Sequence, residues 1–186
     1  IHHPEIEEFL EIRKPSGDFN RKCLNLHHGI TITSEFMEAV RDDKPFALRS
    51  PKTGEEVRTI SARQLFQKIL ETRLQTGEPY LIFIDTVNQA LPKHQKDLGL
   101  QVQMSNLCSE ILLPTGTDHL GNKRTAVCCL SSLNAETWFE WHKDEHFITD
   151  VFRFLDNILA SFIKDAPDTL ANPQYAAQRG RSLGLG

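Results

Sequence analysis

The sequence predicts an α/β fold with parallel strands, and three observations support this prediction. Apolar runs at 80–84 and 126–130 are short and bounded by polar or turn-forming residues, which is typical of strands covered on both faces. Helical patterns that begin at Ser61 and at Phe147 alternate with these runs, and a β-branched segment at 24–33 comes before them. The order strand, helix, strand, loop, strand, helix is typical of parallel sheets whose strands are joined by helices.

The first part of the chain is expected to contain two helices and a strand. Residues 4–13 combine a proline and acidic residues near the start with apolar side chains at helical spacing. A strand is expected at 24–33, and Thr33 or Ser34 is expected to cap a short helix after it. Residues 42–54 are polar and contain prolines and a glycine, which favours a loop.

Two longer helices are predicted further along the chain. Ser61 begins a helix that Gly77 ends. The apolar stripe of this helix consists of Leu65, Phe66, Ile69, Leu70 and Leu74. A second amphipathic helix is predicted at 147–163, whereas the polar segments 88–104 and 115–123 are expected to be irregular.

The bulk composition is that of a globular chain with one domain. The 186 residues are 39% hydrophobic and 25% charged, and the formal net charge of −4 disfavours a nucleic-acid reader with a basic face. No apolar run approaches the roughly 20 residues of a membrane span. The four cysteines lack the spacing of a small disulfide-rich module, so a reducing cytoplasm is expected.

The chain is expected to be part of a larger protein. It has no initiating Met and no secretory leader, and its last residues break off without a helix stop or a polar tail. Its parallel strands are too few to close a barrel, and apolar strands at an open sheet edge are prone to aggregation. The chain alone is therefore not expected to be catalytic.

Asn106, Cys108 and Glu110 form the most informative pattern for function. In an extended segment, these alternate positions would project an amide, a thiol and a carboxylate from one side. A carboxylate beside a thiol disfavours the thiolate that a protease-type nucleophile needs. A neutral thiol instead suits hydrogen-atom transfer, with the carboxylate moving a proton and the amide orienting a substrate.

Five segments, in order along the chain, resemble the large subunits of ribonucleotide reductases. Residues 104–111 (MSNLCSEI) resemble the finger-loop motif Asn-x-Cys-x-Glu of that family. Residues 128–134 (CCLSSLN) resemble its second signature, a Cys followed by x-Leu-Ser/Ala and a later Asn. The opening HPEI at 3–6, the segment 21–29 and the closing RSLGLG at 181–186 also resemble the family. Five ordered matches over nearly the whole chain are far more specific than one motif.

The resemblance implies a role for each matching residue. Cys108 would be the thiyl radical that removes the ribose 3′ hydrogen, Glu110 would take the 3′-hydroxyl proton, and Asn106 would hydrogen-bond the substrate. Cys128 would be one thiol of the pair that supplies two electrons and becomes a disulfide. The substrate-binding residues that the resemblance implies are Asn106, Leu107, Cys108, Ser109 and Glu110.

The remaining cysteines are assigned no chemistry. Cys129 stands beside Cys128 at the variable position of the second signature. It is expected to pack, because adjacent residues of a strand face opposite sides of a sheet. In the family, the second redox thiol lies on an earlier strand, before residue 1 of this chain. Cys23 does not fall at that position.

The resemblance also implies a fold and a set of partners. The chain would be an α/β segment of the family's ten-stranded barrel, and the parent protein would reduce ribonucleoside diphosphates. A separate metal-containing small subunit would deliver the radical, so no metal or cofactor site is expected in this chain. ATP and deoxynucleotide effectors, a reductant of the thioredoxin or glutaredoxin type and a second large subunit would also bind. No nucleic-acid or membrane partner is expected.

Three alternatives to a class I reductase stay open. An adenosylcobalamin-dependent (class II) reductase shares the barrel chemistry, but its finger loop usually reads Asn-Pro-Cys, and Leu107 here favours class I. A non-catalytic fragment would only associate with the other parts of the barrel. A thiol hydrolase or transferase would need a reactive thiolate at Cys108, which the neighbouring Glu110 disfavours.

Overall fold

The computed structural model describes residues 1–186, and they divide into two compact units. The first unit consists of Ile1–Leu91 and Met104–Leu112, and the second consists of Pro92–Gln103 and Leu113–Gly186. Helices and strands occur in both units, and each unit contains one parallel strand pair. The predicted α/β class with parallel strands is confirmed.

The first unit holds one parallel strand pair and one hairpin. Its elements are α1 (Ile6–Leu10), β1 (Gly29–Ile32), α2 (Ser34–Arg41), β2 (Pro45–Arg49), β3 (Glu56–Ser61), α3 (Ala62–Thr76), β4 (Tyr80–Phe83) and α4 (Ile84–Ala90). β1 and β4 run parallel, with Ile30 opposite Leu81. β2 and β3 are antiparallel, with Phe46 opposite Ile60.

One apolar core fills the first unit. Its large buried side chains are Ile6, Leu10, Ile30, Ile32, Phe36, Phe46, Leu48, Leu65 and Ile69. Full burial of each such side chain contributes about 1.5–3 kcal/mol. Phe36 packs edge-on against Phe46 with a centroid distance of 4.9 Å, which joins α2 to the hairpin.

Local sequence signals set the ends of α2 and α3 as predicted. Thr33 Oγ1 accepts a hydrogen bond from Phe36 N at 3.3 Å, and Ser61 Oγ accepts one from Gln64 N at 3.3 Å. These bonds satisfy amides that the first turn of a helix leaves unpaired. Gly77 ends α3 in the left-handed conformation, with φ of 78°. The predicted helix from Ser61 to Gly77 is confirmed.

Other boundaries in the first unit differ from the predictions. The helix expected at 4–13 extends over only the five residues of α1, and the strand expected at 24–33 over only the four residues of β1. The expected loop at 42–54 is wrong, since it contains β2. Phe46 and Leu48 alternate into the core there, and this packing outweighs the polar composition of the flanking residues.

The prediction of a strand at 80–84 that is buried on both faces is partly wrong. The strand forms and pairs in parallel, but Tyr80 is 38% exposed and Phe83 is 46% exposed. Ile84 belongs to α4 rather than to the strand. The outer end of the α3 stripe is also uncovered, with Leu74 90% exposed. The apolar patterns are thus correct in type, but only some of their side chains reach the core.

The second unit contains more helix and shorter strands. Its elements are α5 (Lys93–Asp97), β5 (Gly116–Thr117), β6 (Lys123–Arg124), β7 (Leu130–Ser131), α6 (Trp138–Trp141), α7 (Phe147–Asp165), α8 (Ala171–Gly180) and β8 (Gly184–Leu185). β5 and β6 form a hairpin, whereas β7 and β8 pair in parallel with Leu130 opposite Gly184. Its buried apolar side chains are Val102, Leu155, Leu159 and Ala177.

The predictions for the second unit are only partly confirmed. The long helix at 147–163 forms as α7. The buried strand expected at 126–130 is wrong, because only its last residue enters β7 and Cys128 is exposed. The segments expected to be irregular contain α5 and most of the β5–β6 hairpin. The sequence does not predict α8, because Ala177 is the one residue of this helix that is buried. None of the helices combines the length and apolar character that a membrane crossing requires.

Candidate active site

Residues 105–111 form a tight turn in the first unit. Asn106 Oδ1 accepts a hydrogen bond from Ile111 N at 3.0 Å, and Asn106 O accepts one from Ser109 N at 3.2 Å. Ser105 Oγ donates to Ile111 O at 2.9 Å and closes the base of the turn. Ser109 has φ of 68°, a left-handed conformation that reverses the chain. The segment is therefore a turn and is not extended, because the Asn106 side chain folds the backbone back on itself.

This turn presents three different functional groups within five residues. Cys108 and Glu110 are exposed, and neither side chain makes a hydrogen bond within the chain. Because Asn106 Oδ1 is committed to Ile111 N, the Nδ2 group of Asn106 is left to donate to a ligand oxygen. The turn therefore offers an amide donor, a thiol and a carboxylate at neighbouring positions.

Cys128 and Cys129 lie in the second unit, directly before β7. Cys129 Sγ donates to Leu155 O at 3.3 Å, and Cys129 O accepts from Gly184 N at 3.0 Å. Burial raises the pKa of the half-buried Cys129 thiol, and negative charge at Cys128 and Asp156 raises it further. Cys128 is exposed, and its side chain makes no hydrogen bond. The adjacent thiols therefore have different environments.

The residues that the motifs single out are divided between the units. Asn106, Cys108 and Glu110 belong to the first unit, and Cys128 belongs to the second. The roles that the resemblance implies for them stay predictions. Cys23 is exposed in the first unit, and all four cysteines are free thiols. No three His, Cys, Asp or Glu side chains of the chain gather closely enough to hold a metal ion.

A buried carboxylate in the first unit was not predicted from the sequence. Glu78 is 6% exposed; Arg13 Nη1 lies 2.9 Å from its Oε1, and His27 Nδ1 contacts the same oxygen. His28 Nδ1 lies 3.3 Å from Oε2 without hydrogen-bond geometry. Burial alone would raise the pKa of Glu78, but hydrogen bonds from His27 and the His28 backbone, with the Arg13 charge, lower it. The adjacent histidines are the only sequence signal of this cluster.

A second buried carboxylate holds the β5–β6 hairpin. Asp118 Oδ1 accepts from Leu120 N and Asn122 N, each at 3.0 Å. Its Oδ2 accepts from Arg124 Nε at 3.0 Å and from Tyr175 Oη at 2.8 Å. Burial alone would raise the pKa of Asp118, but these hydrogen bonds, with Tyr175 the largest, hold it well below its usual range. The cluster ties the hairpin to α8.

Comparison with known proteins identifies the family of this chain. A family model described as "Ribonucleotide reductase, barrel domain" matches residues 1–186. The chain is 47% identical over 191 residues to the putative ribonucleoside-diphosphate reductase large subunit of Frog virus 3 (isolate Goorha), over 100% of this chain and 32% of that protein. It is 36% identical over 240 residues to the ribonucleoside-diphosphate reductase large subunit of Invertebrate iridescent virus 3, over 100% of this chain and 37% of that protein.

A solved structure resembles the chain as well. The class Id ribonucleotide reductase alpha subunit of Actinobacillus ureae matches with a TM-score of 0.76 and 31% identity, over 99% of this chain and 31% of that chain. This chain belongs to the ribonucleotide reductase family. Within that family it corresponds to a part of the barrel domain, and it spans about a third of the length of these relatives.

Proposed function

We propose that this chain carries the radical loop and one reducing thiol of a ribonucleoside-diphosphate reductase large subunit. One observation carries the proposal: Asn106, Cys108 and Glu110 stand on a single turn whose shape the Asn106 side chain fixes. An exposed thiol at Cys128, within the second motif, agrees with a reducing role. The family membership of the chain and the names of its viral relatives support the same function.

In the proposed reaction, each group acts on the ribose. A thiyl radical at Cys108 removes the 3′ hydrogen atom and becomes a thiol, which leaves a radical on the 3′ carbon. Glu110 takes the proton of the 3′ hydroxyl, and the 2′ hydroxyl is protonated and leaves as water. Cys128 and a second thiol from another part of the protein supply two electrons and two protons and become a disulfide. One proton goes to the departing water and one to the 2′ carbon, and Glu110 returns its proton to the 3′ oxygen. Return of the hydrogen atom from Cys108 regenerates the radical.

The proposal includes partners outside this chain. Ribonucleoside diphosphates would be the substrates, and a separate metal-containing small subunit would supply the radical. The likeness to a class Id alpha subunit supports class I, and so does Leu107, where class II finger loops usually carry Pro. ATP and deoxynucleotides would be effectors, a thioredoxin or glutaredoxin would be the reductant, and a second large subunit would assemble with the first in the cytoplasm.

The substitution Cys108→Ser in the full-length protein tests the radical assignment. A serine hydroxyl holds its hydrogen atom too strongly to replace the thiol, so we expect nucleotide reduction to be abolished and ribonucleoside diphosphate binding to stay near the wild-type value. The assay follows deoxynucleotide formation in the presence of the small subunit and a dithiol. Cys23→Ser is the matched control, because Cys23 is another exposed thiol of the first unit. Substantial turnover by Cys108→Ser would refute the assignment.

The source of the radical is tested separately. We expect that the full-length protein shows no turnover with adenosylcobalamin when the small subunit is left out. Turnover under those conditions would replace class I by class II. It would leave the roles of Cys108 and Glu110 untouched, because both classes use the same barrel chemistry.

A further inference from the structure

The segment that carries Cys128 has little backbone support of its own. Residues 125–128 lie outside the helices and strands, and they make no backbone-to-backbone hydrogen bond. Regular pairing begins only at Leu130, opposite Gly184 in the β7–β8 pair. The direction of the exposed Cys128 side chain therefore depends on the next residue along the chain that is hydrogen-bonded to the rest of the second unit.

Cys129 is that residue, and it makes one hydrogen bond through its backbone and one through its side chain. Its backbone oxygen accepts a hydrogen bond from Gly184 N, at the start of β8, at 3.0 Å. Its Sγ donates to Leu155 O at 3.3 Å in the middle of α7, where Leu155 is 2% exposed. This bond requires a proton on the sulfur, and the raised pKa of Cys129 keeps the proton there near neutral pH.

We infer that Cys129 is a positioning residue, whose thiol bond to the Leu155 carbonyl directs the exposed Cys128 thiol and prevents a disulfide between the two neighbours. This inference rests on the proposed role of Cys128 as a reducing thiol. Cys128 is exposed and is joined to the half-buried Cys129 by one planar peptide bond, so anchoring Cys129 restricts the directions in which the Cys128 side chain can point. A disulfide between them would take the proton from Cys129 Sγ, so the hydrogen bond to Leu155 O would be lost.

Three substitutions at Cys129 separate hydrogen bonding from packing. Cys129→Ser keeps a donor of similar size, Cys129→Ala removes the donor and volume, and Cys129→Val keeps volume without a donor. In the full-length enzyme with its small subunit, we expect the alanine and valine variants to lose about tenfold in kcat, because the reducing thiol is misplaced. KM for the ribonucleoside diphosphate should stay near the wild-type value, and the serine variant should recover most of the loss.

A second measurement does not depend on nucleotide reduction. Cys128 is labelled with iodoacetamide in the full-length protein, and the labelled peptide is quantified by mass spectrometry. We expect faster labelling in the alanine and valine variants, whose Cys128 is no longer held, and the wild-type rate in the serine variant. In the wild-type protein treated with a mild oxidant, we expect no disulfide between Cys128 and Cys129.

The outcomes distinguish the inference from the proposed function. Equal kcat and labelling in all four proteins would overturn the inference, and so would equal impairment of the serine and alanine variants, or a Cys128–Cys129 disulfide. Thermal melting of each variant shows whether it is folded, and the valine variant serves if the alanine variant is not. If Cys128→Ser keeps multiple turnovers, the reducing role fails instead, and labelling alone then decides whether Cys129 directs Cys128.

Discussion

His28 lies beneath Phe9 with almost no contact with solvent. Its side chain is 2% exposed, neither ring nitrogen has a hydrogen-bond partner, and the Phe9 ring packs edge-on at a centroid distance of 4.8 Å. Burial lowers the pKa of His28 below its ordinary 6.5, although the Glu78 carboxylate opposes the shift. The buried ring is therefore mainly neutral at pH 7, and its protonation lowers the free energy of unfolding.

We expect acid to destabilise the first unit through His28. Because the folded pKa lies below the unfolded value of 6.5, the stabilising contribution is complete above pH 6.5 and is lost as the pH falls through the folded pKa. His28→Phe keeps the ring contact and removes the titration. Its free energy of unfolding in urea should therefore vary less than that of the wild type between roughly pH 7.5 and 5.

The pH range of this experiment isolates His28 from its neighbour. The pKa of Glu78 is also lowered, so its contribution is lost only below its ordinary 4.5. Identical pH dependence of the wild type and His28→Phe above pH 5 would mean that the buried ring does not govern acid stability.

At the residue scale, the sequence predicts the motif but not its contacts. Asn106, Cys108 and Glu110 are recognisable from residue type and spacing alone. The bond from Ile111 N to Asn106 Oδ1 is not, because it depends on a left-handed Ser109 that no residue preference favours. The Glu78 cluster is hidden for another reason: 51 residues separate His27 from Glu78, and only the fold brings them together.

Among the secondary-structure elements, the β5–β6 hairpin depends on one side chain. The hairpin has only two residues per strand, and a pair that short has little stability of its own. Asp118 stabilises the hairpin, because its fully buried carboxylate accepts hydrogen bonds from the turn, from Arg124 and from Tyr175 of α8.

We expect Asp118→Ala to lower the free energy of unfolding clearly more than the loss of an exposed ion pair does. It leaves the Arg124 side chain, which is only 10% exposed, without its carboxylate partner and removes the acceptor of two turn amides. Urea denaturation measures the loss. Asp150→Ala is the matched control, since its pair with Arg153 on α7 is exposed and should contribute about 0.5 kcal/mol or less. Similar losses for the two substitutions would contradict a special role for Asp118.

Elements with a strong local signal were predicted well, and those formed by tertiary contacts were not. α3 and α7 have an apolar stripe at helical spacing, and α3 also has a capping serine and a terminal glycine. β2 forms inside a polar, proline-containing stretch because β3 pairs with it and the core takes Phe46. α8 has almost no buried face, so its sequence carries no periodic signal.

At the scale of the whole molecule, the two units differ in how much apolar surface they bury. The core of the first unit draws on α1, α2, α3, β1 and β2. The second unit buries only Val102, Leu155, Leu159 and Ala177 among its apolar side chains. Since regions with few buried apolar contacts open at lower free energy, the second unit should be the less stable one.

Native-state hydrogen exchange measures this difference directly. We expect amides of β1 and α3 to exchange more slowly than amides of β7 and α8, and low concentrations of urea to speed exchange in the second unit first. Leu159→Ala should accelerate exchange in the second unit alone, and Ile69→Ala in the first alone. Uniform exchange across both units, or equal effects of the two substitutions, would show one cooperative structure instead.

The elements α8 and β8 complete the second unit, and this sets the order in which the nascent chain can fold. Asp118 can form its hydrogen bond with Tyr175 only after another 57 residues are made, and β7 can pair only after β8 is made. At about 5–20 residues per second of translation, the delay after Asp118 emerges is roughly 3–11 seconds. The thiols at 128 and 129 are open to oxidants for a similar time after they emerge, until β8 follows, and the apolar face of α7 is open to chaperones until α8 follows. The β1–β4 pair is already complete by then. A ribosome that stalls before residue 184 would therefore hold a chain with a formed first unit and with β7 still unpaired.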